Sequence, residues 1–95
     1  MLPAVRSVTV RGLRWKIGKI RDKGERGACE APSVPGREMD IPVHGGTRND
    51  LDTLCHELLH AAYWDLDEEA VYETATDIAK VLWRCGWRKQ MECRA

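Results

Sequence analysis

The chain has 95 residues, 43% hydrophobic and 32% charged, with no Phe but four Trp, a globular composition that excludes a disordered chain and leaves room for one domain, residues 1–95, with a modest core. Its zero net charge hides an asymmetry. Residues 1–48 carry ten Lys/Arg against five Asp/Glu and residues 49–95 carry five against ten, which either steers a partner or cancels across one small surface.

The opening MLPAVRSVTVRGLR has arginine every few positions and no long apolar run, so neither a signal peptide nor a membrane span is expected and the reading is cytoplasmic. In VTVRGLRWKIGKI (8–20), Val8 and Val10, then Leu13, Trp15 and Ile17, alternate with polar neighbours around Arg11-Gly12, which predicts a hairpin. The Gly-, Pro- and charge-rich segment 21–38 reads as a long loop with a short strand near Cys29. Met39, Ile41 and Val43 then alternate, and Pro42 among them predicts an edge strand. This strand-rich region ends at residue 46.

Thr47-Arg48-Asn49-Asp50 is a helix start signal. Leu51, Leu54, Cys55, Leu58 and Ala62 follow at helical spacing, predicting a first helix over 47–64. Asp65-Leu66-Asp67 breaks it and caps a second helix over 67–86, with Val71, Ala75, Ile78, Leu82 and Cys85 on one face and a stop at Gly86. Residues 87–95 form a polar tail. The expected fold is α+β, a small antiparallel sheet of about three strands packed on an antiparallel helix pair. Cys29, Cys55, Cys85 and Cys93 lack CxxC spacing, which argues against a zinc ribbon and, in a cytosolic chain, for reduced thiols.

The stretch LCHELLHAA (54–62) carries the chemistry. On a helix, His56 and His60 are one turn apart on the same face and can grip a single metal ion. Glu57 is rotated by one residue, away from the metal but within reach of a water beside it. This is the division of labour of HExxH hydrolases. A catalytic zinc usually takes a third protein ligand, and Glu69, Glu73 and Asp77 follow at four-residue steps. If the chain reverses near Asp65, the level between the histidines falls near position 73. Glu69 also points almost opposite the expected apolar stripe, with Glu73 and Asp77 nearer it. Glu73 is therefore the first choice of third ligand and Glu69 the alternative.

HELLH followed by Glu73-Thr74-Ala75-Thr76-Asp77 resembles the gluzincin zinc metallopeptidases, whose pattern is HExxH and then a helix bearing ExxxD. The resemblance covers residues 37–85 and extends to small phage and bacterial HExxH proteins and to the SprT-like and ImmA/IrrE-like cores. It implies one zinc per chain on His56, His60 and Glu73, with Asp77 orienting His56 and Glu57 as general base. The ImmA/IrrE-like pattern, a glutamate followed by alanine, would select Glu69-Ala70 instead. The spacing from His60 to either glutamate is shorter than in most gluzincins, and a metzincin pattern fails because Leu66 stands six positions after His60.

The transition-state donor has three candidates, Tyr63, Tyr72 and His44. The expected substrate is a protein or peptide lying extended along the strand near Met39 to Val43. Arg14-Trp15-Lys16, Trp83-Arg84 and Trp87-Arg88-Lys89 interleave aromatic and basic residues as nucleic-acid surfaces do, although Trp15 and Trp83 also fit core positions. The expectation is thus a zinc metallopeptidase. The alternatives are a zinc-stabilised regulatory or adaptor domain without turnover and a nucleic-acid-associated module.

Overall fold

The computed structural model describes residues 5–18, 27–42 and 46–88. The fold is α+β. Strands β1 (Ser7–Val10), β2 (Leu13–Ile17), β3 (Ala28–Cys29) and β4 (Glu38–Asp40) precede helices α1 (Arg48–Ala62) and α2 (Glu68–Arg84). β1 and β2 form the expected hairpin, with Val8 opposite Trp15 and Val10 opposite Leu13. Its two-residue turn places Arg11 at φ 49° and Gly12 at φ 83°, the left-handed pair that a tight hairpin of matching twist demands.

The sheet differs from the antiparallel expectation. It has four strands in the order β1-β2-β4-β3, with β2 and β4 parallel and β3 and β4 antiparallel. The strand around Met39 is therefore not an edge. Its regular part, β4, stops at Asp40 before Pro42 and is paired on both sides. Pro42 lies beyond the ladder, so its missing N–H costs no strand pairing. Val43 and His44 lie outside the described residues.

Trp15, Met39, Ile41 and Ala61 form the buried cluster, flanked by Val8, Val10, Ile17, Cys29, Leu54 and Leu58. Trp15 is fully buried and its indole N–H donates to the Glu30 carbonyl at 3.0 Å, which satisfies its one polar atom. α1 carries the contacts to both the sheet and α2. It begins with a capping box. The Thr47 hydroxyl accepts from the Asp50 N–H at 3.0 Å, and the Asp50 carboxylate accepts from the Thr47 N–H at 3.2 Å. At its other end the Arg11 guanidinium donates to the Ala62 carbonyl at 2.9 Å and lies over the Tyr63 ring. The hairpin turn thus satisfies a terminal carbonyl of the helix. α2 starts at Asp67, whose carboxylate accepts from the Ala70 N–H at 2.7 Å. It ends before Gly86, held at φ 92°. Its buried stripe is Val71, Ala75 and Ala79, whereas Ile78 and Cys85, expected in the core, are exposed.

Candidate metal centre

His56 and His60 project from α1 toward the start of α2. Their Nε2 atoms are 3.1 Å apart, with the rings edge to face. The third group is the Glu68 carboxylate, with Oε1 2.8 Å from His56 Nε2 and Oε2 3.2 Å from His60 Nε2. Among the described residues these three make the only group of candidate ligands, all within 4.8 Å of one another. The histidines are half-buried and Glu68 is exposed.

The chemistry of this donor set fits a metal ion. The carboxylate can only accept hydrogen bonds, and each neutral imidazole offers one donor and one acceptor. If both Nε2 atoms carry protons for Glu68, two N–H groups confront each other at 3.1 Å. If either lacks its proton, a lone pair faces a carboxylate oxygen. A cation at the centre of the triangle removes both conflicts. Around a tetrahedral zinc, with bonds of about 2.0–2.1 Å, neighbouring ligand atoms sit about 3.3–3.4 Å apart. The Nε2–Nε2 separation of 3.1 Å is slightly shorter, and Glu68 turns a different oxygen to each histidine, at 2.8 and 3.2 Å, so a small movement of the three side chains would let them close around an ion.

The helix register sets Glu68, rather than the expected Glu73 or Glu69, beside the two histidines. The Thr76 hydroxyl donates to the Asp52 carboxylate at 3.0 Å, which sets residue 76 level with 52. In an antiparallel pair, 72 is then level with 56 and 68 with 60. The expectation of residue 73 beside the histidines was about three residues out of register. The buried stripe is also rotated from the expected one, because Ala79 belongs to it and the exposed Ile78 and Cys85 do not. At roughly 100° per residue, Glu68 lies within about 20° of the centre of the Val71-Ala75-Ala79 stripe, Glu69 about 120° away, and Glu73 and Asp77 about 160° away. Glu69 and Glu73 are exposed and do not join the histidines. Asp77 lines a separate hollow with Arg48, Lys80 and Arg84, about a turn and a half from the level of His56, and does not orient that ring. Glu68 was missed although it directly follows the Asp67 cap. The signal that finds it is Ala79, a small residue at the right angle to extend the buried stripe.

Glu57 turns away from α2, toward β3. Its side chain is 7% exposed, and a Cβ placed on Gly27 would lie 3.0 Å from Glu57 Cγ and 2.8 Å from Thr53 Cγ2. Only glycine fits there without displacing one of them. Burial, and then the charges of Glu57 and Glu30, push the Cys29 thiol up to about 12. A cleft of about 430 Å³ opens along this side of α1, lined by Gly27, Asn49, Asp52, Thr53, His56, Glu57 and Tyr72. Tyr72 reaches it from α2, at the level of His56. Tyr63 is instead exposed beneath Arg11 at the far end of α1, and His44 lies outside the described residues. Trp15 is sealed in the core and Trp83 is half-buried under Arg88, so packing accounts for both tryptophans. No described helix is long and apolar enough to cross a membrane.

Comparison with protein-family models, curated proteins and solved structures finds no match for this chain, so the functional reading rests on the site itself.

Proposed function

We propose that the protein is a zinc-dependent metallopeptidase of gluzincin character, with His56, His60 and Glu68 as ligands and Glu57 as general base. The carrying observation is the convergence of two imidazole nitrogens and a carboxylate on one point beside a cleft that holds Glu57. Zinc in this donor set would supply Lewis-acid polarisation of the scissile carbonyl and lower the pKa of water. The Glu57 carboxylate takes a proton from the attacking water as its oxygen bonds to the carbonyl carbon. It then delivers that proton to the leaving amine nitrogen as the C–N bond breaks. Tyr72, which lines the same cleft from α2, would donate its hydroxyl to the developing oxyanion. With β4 interior, the sheet edge nearest the cleft among the described residues is β3, and an extended peptide would enter past Gly27 rather than along Met39.

The test combines metal content with turnover. The zinc-supplied parent should bind close to one zinc per chain. His60→Ala and Glu68→Ala should lose it, and Glu73→Ala should keep it. Glu57→Gln should keep both fold and zinc while cleavage of an unstructured protein such as casein falls about 10²–10⁴-fold. Zinc binding without cleavage in the parent would reduce the reading to a zinc-stabilised binding domain. A folded parent without zinc would end it.

A further inference from the structure

Beyond the cleft, the outward face of α2 carries a second pattern. The helix packs on α1 through Val71, Ala75 and Ala79. About 90° around it, Thr74, Ile78, Val81 and Cys85 form a separate exposed row, with Val81 61% exposed. Their spacing of four, three and four residues is the a/d seam of a short coiled coil, with Ile78 and Cys85 at a and Thr74 and Val81 at d. The g positions beside this seam are Asp77 and Arg84, which are exposed and of opposite sign. The charge order continues along the helix, with Glu69 and Glu73 before the seam's midpoint and Lys80 after it.

We propose that this row is the interface of an antiparallel homodimer, in which α2 packs against α2 of a second copy. In that orientation Ile78 faces Val81 of the other chain and Thr74 faces Cys85, because each pair sums to the same register. The g positions of the two helices then flank the seam together and set Asp77 opposite Arg84 twice over the two-fold axis. A parallel pairing would instead place Asp77 and Arg84 beside Ala75 and Leu82, with no charge partner. A two-fold interface of this kind needs one patch that complements itself, and the ordering of acid before base along α2 supplies it. Tyr72 lies about 150° around the helix from the seam, so the dimer leaves the cleft open. The seam spans only about two heptads, so association should be weak, with Kd on the order of tens of micromolar.

Sedimentation of the reduced parent from about 1 to 500 µM should show a rise toward twice the chain mass. Val81→Glu, at an exposed position that leaves the monomer's core intact, should weaken association about tenfold or more. Asp77→Arg should weaken it too, and the double change Asp77→Arg with Arg84→Asp should restore it. Mild oxidation of Thr74→Cys should join position 74 of one chain to Cys85 of another, a span of eleven residues that one helix cannot close on itself. A monomer at every concentration, as expected if another protein covers this face, would overturn the proposal. A dimer indifferent to Val81→Glu would also overturn it, as would a Cys85–Cys85 link in place of the 74–85 link.

Discussion

Single side chains in this site are set by what lies one helix face away. The HExxH signature was legible because its requirement is local, two histidines one turn apart and a glutamate between them. Glu68 was not legible, because its place depends on how two helices slide against each other, and a shift of three residues exchanges one glutamate for another. Cys29 shows a related effect. Burial and the nearby carboxylates of Glu57 and Glu30 hold its thiol protonated up to about 12, against an ordinary value of 9.0. A group whose folded pKa is raised contributes stability that is complete below its unfolded pKa and lost as pH rises through the folded one. Between about pH 9 and 12 the unfolded state releases this proton and the folded state retains it, so the stability of the parent should decline there. Cys29→Ala should flatten that part of the denaturant-midpoint profile. The same pKa predicts that iodoacetamide at pH 8 labels the exposed Cys85 well before Cys29, because only the thiolate reacts. Equal labelling rates in the folded protein would contradict this account.

Whole elements were easier to read than their arrangement. Arg11-Gly12, Thr47 with Asp50, Asp67 and Gly86 are local signals for a turn, two helix starts and a stop, and each lies where its chemistry requires. Sheet order was hidden, because nothing in the alternation of Met39 and Ile41 says that β4 pairs in parallel with β2 across a long connection. The caps also link folding to the site. Glu68 is the first residue of α2, directly after Asp67, so the Asp67 cap fixes the turn that carries the proposed third ligand. Asp67→Ala should cost about 1 kcal/mol of stability and weaken zinc binding as well, because the first turn can then fray. Thr47→Ala should cost a similar amount at the far end of α1, with zinc affinity unchanged. Titration with a competing chelator beside urea denaturation separates the two effects. Equal zinc affinity in both variants would show that the Asp67 cap does not position Glu68.

At the scale of the molecule, α2 is joined to the rest through a narrow stripe of small side chains. The buried cluster of Trp15, Met39, Ile41 and Ala61 lies between α1 and the sheet, and α2 meets α1 largely through Val71, Ala75 and Ala79, which bury little area per residue. Domains this small often need a staple, and a structural metal is one kind. The His56–His60–Glu68 group stands where a staple is most effective, joining the last turns of α1 to the first residue of α2. If it holds zinc, the ion binds the folded chain and not the unfolded one, and at about 100 times its Kd adds about 2.7 kcal/mol. For a domain of this length that corresponds to a rise in Tm of about 10–20 °C. Chelation should reverse the rise, and magnesium should not replace zinc, because imidazole nitrogen is a poor ligand for it. Glu57→Gln should keep the full shift, because Glu57 does not bind the ion, whereas His60→Ala and Glu68→Ala should melt at one temperature with or without zinc. A parent whose Tm ignores zinc would make the three side chains a hydrogen-bonded surface cluster. The peptidase reading would then fail at its first step, before any substrate is tried.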